Sequence, residues 1–94
     1  MKKATYVLLF MRIVSHSFIL LMEKEAILKK LGGRIAEVRK EKGLTQEKLA
    51  HTVGKDRQSI QRLEAGNMNP TYFYLREIAD GLETTVSDLL STLK

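Results

Sequence analysis

The sequence predicts an all-α fold, and three observations support this prediction. Beyond residue 23, apolar residues recur at every third or fourth position, which is the period of an amphipathic helix, and they show no period-two alternation typical of a strand. Common helix-capping residues precede three of these patterns, at Thr45, Asp56 and Thr85, and Gly43 and Gly54 stand where two of them end. With 94 residues, of which 44% are hydrophobic and 29% charged, the chain has the composition of one globular domain.

The first predicted helix runs from about Ile27 to Lys42 and ends at Gly43, a residue type that commonly terminates helices. Its interior contains two glycines, Gly32 and Gly33. Each weakens a helix by roughly 1 kcal/mol relative to alanine. We therefore expect either that the first turns of this helix fray or that its compact part begins near Leu31.

Four shorter helices are predicted after it. The second covers residues 46–52, and the third, about two turns long, follows Asp56 and ends before Gly66. A fourth helix follows Pro70, because the preceding Gly- and Asn-rich segment is typical of a loop. Thr85 is predicted to cap the fifth helix in a capping-box pattern with the acid three positions later.

The chain is predicted to consist of a hydrophobic N-terminal extension, residues 1–22, and one domain, residues 23–94. The extension begins with two lysines and contains no acidic residue. From residue 4 to residue 22 it is apolar apart from five residues, Thr5, Arg12, Ser15, His16 and Ser17.

Four interpretations of the extension remain open. It resembles a signal peptide, but no small-x-small cleavage site follows the apolar run. Its length would just cross a bilayer, but Arg12 near the middle costs roughly 2.5 to 3.5 kcal/mol on insertion scales. We therefore do not expect a membrane partner, and favour a start codon assigned upstream of Met22. If the segment is folded, burial against a second copy is its simplest use.

The sequence predicts no enzyme, no metal site and no cofactor. The absence of cysteine excludes disulfides, thiolate metal sites and thiol nucleophiles. His16 and His51 lie 35 residues apart and form no HExxH motif. Ser59 lacks a glycine elbow and a nearby His–Asp pair.

Positive charge is concentrated in the middle of the chain. The net charge is +5, and residues 28–62 contain ten basic residues against four acidic ones. This asymmetry is typical of a surface that faces phosphates, although a solvated helix face gives the same count.

The segment 46–65 has the residue sizes that two helices joined by a tight turn require. Counted from Gln46, the fifth residue is the small Ala50, and the ninth is Gly54, which can adopt the positive φ of the turn. Apolar residues occupy the four core-facing places, Leu49, Val53, Ile60 and Leu63. This combination in a basic helical chain predicts a DNA-binding helix-turn-helix.

From Leu31 to Leu90 the chain resembles the phage-repressor and Cro-like, or xenobiotic-response-element (XRE), helix-turn-helix transcriptional regulators. The matching stretches are LGGRIAEVRKEKGLTQEKLA (31–50), VGKDRQSIQRLEAGNMNPT (53–71), and LREIADGL with TTVSDLL (75–90). The resemblance implies a five-helix, lambda-repressor-like domain whose third helix enters the major groove while the second lies across the DNA backbone. Two residues depart from the family pattern, Gly81 in place of alanine and Glu83 in place of a helix-ending glycine.

The resemblance also implies roles for individual residues. The family's base-reading positions fall on the third helix at Arg57, Gln58 and Arg62, with Gln61 as a fourth candidate. Arginine can donate two hydrogen bonds to guanine, and glutamine can pair with adenine. The alternative for these four residues is an exposed helix face that contacts no base. Arg39 and Glu64 occupy positions that form a structural ion pair in relatives.

Contacts to the DNA backbone are expected from a separate set of residues. Gln46 begins the second helix, where the positive end of the helix dipole favours a phosphate oxygen. The other candidates are basic residues near the turn and amides in the loop after the third helix: Lys40, Lys42, Lys55, Asn67 and Asn69.

We therefore predict a sequence-specific regulator of double-stranded DNA. A repressor that binds a pseudo-palindromic operator as a homodimer fits best, because one small domain offers few base contacts. Its expected location is the cytoplasm, in association with the nucleoid. The alternative is an antitoxin-type or other protein-interaction module with the same fold and a toxin or other protein partner. Three polar candidate readers on one helix argue against that alternative.

Overall fold

The computed structural model describes residues 2–93, and within that range it contains five α-helices and no strand. The all-α prediction is confirmed. The helices are α1 (Lys2–Glu41), α2 (Gln46–Thr52), α3 (Arg57–Ala65), α4 (Tyr72–Gly81) and α5 (Val86–Leu89), followed by a 3₁₀ turn at Ser91–Leu93.

The start predicted for the first helix was wrong. Instead of beginning near Ile27, α1 begins at Lys2 and continues for 40 residues through the extension into the domain. The reason is local, because no glycine or proline interrupts residues 2–31 and most residue types there are compatible with a helix. The extension and the domain therefore share one helix. It ends at Glu41, shortly before Gly43, which has a φ of +72°.

The two glycines in α1 have different surroundings, and α1 continues through both. Gly32 is buried, and a Cβ atom there would overlap the carbonyl oxygens of Leu63 and Glu64 on α3. Gly33 is exposed, and a Cβ atom there would meet nothing within 4 Å. Gly32 thus allows the backbones of α1 and α3 to approach each other closely, a role that helix propensity does not reveal.

Four helices begin with a capping side chain. At Thr45, Asp56, Thr71 and Thr85, a side-chain oxygen accepts a hydrogen bond from the backbone N–H three residues later, at distances of 2.6–3.1 Å. The capping box predicted at Thr85 is only half formed. The carboxylate of Asp88 does not return to this cap, because it accepts hydrogen bonds from other side chains instead.

The core lies between the C-terminal part of α1 and the four shorter helices. Its members are the apolar residues that the helical periodicity places on inward faces, namely Leu31, Ile35, Val38, Leu49, Ala50, Ile60, Leu63, Leu75, Ile78, Ala79, Leu82 and Leu89. Residues 3–27 contribute nothing to this core, because every one of them is exposed.

Both departures from the family pattern lie at the end of α4. A Cβ atom on Gly81 would overlap the side chain of Val53, so the present packing leaves no room for the usual alanine. Glu83 adopts a φ of +56°, a conformation that glycine reaches without the steric cost borne by other residues. The turn is closed by hydrogen bonds from Glu83 N to Asp80 O at 3.1 Å and from Thr84 N to Ala79 O at 2.9 Å.

Candidate nucleic-acid interface

The turn between α2 and α3 sets the orientation of α3. Gly54 has a φ of +68°, as its position in the turn requires. The backbone N–H of Lys55 donates to Ala50 O at 2.8 Å, and the Asp56 carboxylate then caps α3. The hydrogen bond from Ser59 N lowers the pKa of Asp56, which favours the charged form of this cap.

One face of α3 is buried and the opposite face is exposed. Ile60 and Leu63 point into the core. The four candidate base-reading residues are all exposed, and their spacing of one, three and one positions puts them on a single face of the helix: Arg57, Gln58, Gln61 and Arg62. This arrangement offers two guanidinium groups and two amides on one accessible surface.

Some of the backbone-contact candidates lie beside this face. Asn67 lines a shallow depression together with Gln58, Gln61 and Arg62. At the other end of α3, Gln46 and Arg57 line a second depression, which also includes Arg39.

Arg39 and Glu64 form a buried ion pair with the geometry of a fork. Arg39 Nε donates to Glu64 Oε2 at 2.7 Å, and Nη2 donates to Oε1 at 2.9 Å. The side chains are 9% and 5% exposed. The hydrogen bond with Glu64 raises the pKa of Arg39, although burial acts in the opposite direction. Arg39 Nη1 also donates to Leu44 O at 2.8 Å, so the pair ties α1 to α3 and to the loop before α2.

The same ion pair fixes Gln46, a contact that the sequence did not indicate. Gln46 Nε2 donates to Glu64 Oε1 at 3.0 Å. The carboxylate of Glu64 thus accepts hydrogen bonds from two helices and holds the first side chain of α2 beside α3. Spacing could not reveal this contact, since 18 residues separate the two partners.

The lysine candidates differ in their surroundings. Lys40 and Lys42 are exposed near the end of α1, and nothing brings them into the two depressions beside α3. Lys55 is half-buried, with its ammonium 3.0 Å from Glu77 Oε1 and 4.2 Å from the centre of the Tyr74 ring. Because its charge is paired with α4, we leave Lys55 out of the proposed DNA surface. Asn69 is exposed in the loop.

A second ionic contact joins α1 to α5. Arg34 Nη2 lies 3.0 Å from both carboxylate oxygens of Asp88, and Thr84 Oγ1 donates to Asp88 Oδ2 at 2.9 Å. The hydrogen bonds from Thr84 and Arg34 lower the pKa of Asp88. This contact joins α1 to α5 across 54 residues of sequence, which is why the sequence pattern showed only the local cap.

The short α2, the glycine turn and the amphipathic α3 define a helix-turn-helix protein. A family model described as Helix-turn-helix (HTH_3) matches residues 35–89, which is more than half of the chain. The chain belongs to this helix-turn-helix family, and the resemblance found in the sequence is confirmed.

Relatives and solved structures agree with this assignment. The chain is 38% identical over 63 residues to the uncharacterized HTH-type transcriptional regulator y4dJ of Sinorhizobium fredii, an alignment that covers 67% of this chain and 82% of the relative. It is similar to the restriction-modification controller protein C.AhdI from Aeromonas hydrophila, with a TM-score of 0.67, 35% identity and coverage of 69% and 94%. The controller protein C.Esp1396I gives a TM-score of 0.64, 34% identity and coverage of 71% and 91%.

The protein is therefore a DNA-binding transcription regulator with a lambda-repressor-like domain. Its family consists of DNA-binding proteins rather than enzymes, as the sequence predicted. Because the target is DNA, the DNA-binding domain acts in the cytoplasm. The family match does not include residues 1–34, so it leaves the function of the extension open.

Proposed function

We propose that this protein is a sequence-specific repressor that places α3 in the major groove of double-stranded DNA. The observation that carries the proposal is the exposed face of α3, where two arginines and two glutamines lie opposite a fully buried apolar face. A helix held by its apolar side and polar on its outer side can enter the groove without unfolding any part of the core.

The side chains on this face suit direct recognition of bases. Arg57 and Arg62 can each donate two hydrogen bonds to the O6 and N7 atoms of guanine, and Gln58 and Gln61 can pair with N6 and N7 of adenine. Each such pair discriminates by roughly 1 to 3 kcal/mol against the wrong base. The proposed operator therefore contains guanine contacts.

Backbone contacts would hold α3 in register. Gln46 and Asn67 support this proposal, because each lines a depression together with candidate reading residues at one end of α3. Lys40, Lys42 and Asn69 are exposed and remain candidates for phosphate contacts. Contacts of this kind position the protein but carry no base preference.

We further propose that two copies bind a pseudo-palindromic operator and repress by occupying a promoter in the nucleoid. One domain presents four candidate reading residues, and a symmetric dimer doubles that number. Similarity to two restriction-modification controller proteins at 35% and 34% identity supports a role in controlling transcription.

The test separates base reading from phosphate contact. Cognate sites are first selected from random DNA with the native chain, and affinity is then measured on the selected site and on unrelated DNA at several salt concentrations. Arg57→Ala should lose roughly 1 to 3 kcal/mol on the selected site and little on unrelated DNA. Lys40→Ala is the matched control, and it should weaken both and lower the salt slope by about one if Lys40 contacts phosphate.

The assignment of α3 would be wrong if Arg57→Ala and Arg62→Ala left both affinity and base preference unchanged. A protein that selected no DNA site and instead bound a protein partner would support the antitoxin-type alternative. Melting curves of each variant show whether a lost affinity reflects lost folding.

A further inference from the structure

The N-terminal half of α1 is largely apolar, and the described chain buries none of its side chains between residues 3 and 27. All residues from 3 to 27 are exposed, although most of those between residues 4 and 22 are apolar. An 18-residue window of this helix has a mean hydropathy of 1.7, and none of it is buried. Burial within the domain, the usual explanation for a helix of this composition, therefore does not apply.

Apolar residues surround this helix on every side. Successive residues of a helix point about 100° apart, so four consecutive residues sample the whole circumference. Leu8, Leu9, Phe10 and Met11 are such a run, with exposed fractions of 48–68%. A second run, residues 18–21, is also apolar and exposed. A paired helix would cover only one stripe and leave the other sides in water, whereas lipid would cover them all.

The polar residues of this segment are mostly confined to one stripe. Thr5, Arg12, His16 and Glu23 are spaced by seven, four and seven positions, which places them on the same face of α1. Ionisable residues in membrane-spanning helices are confined in this way and face another helix or a water-filled cavity. Confinement to one face does not remove the cost of Arg12, but the ten Leu, Ile, Phe and Val residues of this segment oppose it on the same insertion scale.

We propose that residues 4–22 span a lipid bilayer and anchor the regulator to the membrane. At about 1.5 Å per residue, this segment is about 28 Å long, close to the roughly 30 Å of a hydrocarbon core. The N-terminal flank contains two lysines, whereas residues 23–42 contain seven basic residues. The positive-inside rule then puts the N-terminus outside and the domain in the cytoplasm, where DNA is present.

The anchor is joined directly to the DNA-binding domain. No glycine or proline lies between Met22 and Leu31, and α1 continues through this stretch. At Lys29 the backbone of α1 already lies against Gly66 at the end of α3. Seven residues of helix, about 10 Å, separate that contact from the end of the span, so the anchor would hold α3 near the membrane surface.

The first experiment measures insertion of the complete chain. The protein is synthesised in the presence of phosphatidylcholine and phosphatidylglycerol vesicles, which are then floated on a density gradient and washed with alkaline carbonate. We expect the chain to float with the vesicles and to resist extraction by carbonate. Recovery as a soluble monomer or soluble oligomer would overturn it, and a soluble oligomer would identify a second copy as the occupant of the apolar face.

An arginine scan distinguishes lipid from a protein partner. Leu8→Arg, Leu9→Arg, Phe10→Arg and Met11→Arg should each reduce the carbonate-resistant fraction severalfold, because lipid contacts all four of these sides of the helix. If only one or two of the four variants reduced the carbonate-resistant fraction, a protein surface and not a bilayer would cover the helix. Phe73→Arg is the matched control on α4, where Phe73 is 71% exposed, and it should change nothing. Melting curves check that each domain remains folded.

Orientation can be read with single thiols, because the chain contains no cysteine. In spheroplasts of an expression host, a membrane-impermeant maleimide should label a cysteine inserted between Met1 and Lys2, outside the proposed span, at once. The same reagent should label Ser91→Cys only after lysis. Labelling of Ser91→Cys in intact spheroplasts would overturn the proposed orientation.

Discussion

The two halves of α1 belong to one helix but have opposite environments. From residue 3 to residue 27 every side chain is exposed. Between residues 31 and 39 the helix buries Leu31, Ile35 and Val38, together with Arg39, which pairs with Glu64. Both halves are helical, although only the C-terminal half packs against the rest of the described chain. Packing depends on whether the rest of the chain supplies a complementary surface.

The more apolar half is the one that buries no side chain among its described residues, 3–27. Its apolar residues point in all directions, whereas the C-terminal half has charged residues between its apolar ones and so presents a single apolar stripe. A stripe can be buried against α3 while the charged side remains in water. The arrangement of apolar residues, and not their number, therefore decides which half joins a water-soluble core.

The largest expected effect compares two arginines of α1. Arg39→Met should lower the free energy of unfolding by about 3 to 5 kcal/mol, because it leaves the buried Glu64 carboxylate without its partner. Arg12→Met, in the exposed half, should change the unfolding of the domain by less than about 0.5 kcal/mol. Denaturant unfolding of both variants measures the difference. Equal effects would mean that the Arg39 pair adds nothing beyond an exposed charge.

Two neighbouring glycines, Gly32 and Gly33, allow a buried and an exposed position to be compared within the packed half of α1. Gly32→Ala should destabilise the domain by roughly 1 to 3 kcal/mol, because the added methyl group would overlap backbone carbonyl oxygens of α3. Gly33→Ala should stabilise it by up to about 1 kcal/mol, because that site is open and alanine favours a helix. Thermal melts give the sign of each change. A gain in stability from Gly32→Ala would show that α1 and α3 are not in close contact.

A smaller effect is expected where α1 meets α5, and it depends on pH. The lowered pKa of Asp88 means that its ionised form stabilises the folded state at neutral pH. This contribution is lost as the pH falls from about 4, the ordinary pKa of aspartate, through the lower folded value. Asp88→Asn should therefore melt earlier than the native protein at neutral pH, and the gap should close in acid. Exposed Asp80→Asn is the control, and a constant gap would contradict this role of Asp88.

The smallest expected effect comes from removing residues 1–21. Because residues 3–21 have no buried side chain, a chain that begins at Met22 should unfold with nearly the same midpoint as the complete chain. It should also lose the carbonate-resistant membrane association proposed above. Unfolding curves and flotation of the two chains provide the comparison. A large loss of stability in the shortened chain would show that the extension supports the domain.

Structural features that depend only on residues close together in the sequence could be predicted. The bounds of α2, the caps at Thr45 and Asp56, and the positive φ of Gly54 follow from local backbone chemistry, and all of them occur in the structure. The exposed face of α3 was also predictable, because the same period that buries Ile60 and Leu63 turns the polar residues outward.

Contacts between distant residues were beyond sequence reasoning. The hydrogen bond from Gln46 to Glu64 and the pairing of Lys55 with Glu77 join residues 18 and 22 positions apart, and no local pattern marks them. For Lys55 the structure adds an ion pair within the domain, and its phosphate contact stays a prediction. Charge type alone does not show which lysines are available to DNA.

The sequence by itself determined that the chain is helical, where the short helices begin, and that a helix-turn-helix presents polar residues on α3. These features depend on periodicity, caps and one turn, which operate over a few residues. The tertiary structure decided that Gly32 is a contact site, that Asp88 binds Arg34, and that residues 3–27 of α1 bury no side chain in the described domain. Those outcomes depend on which surfaces meet after folding, and spacing along the chain does not contain that information.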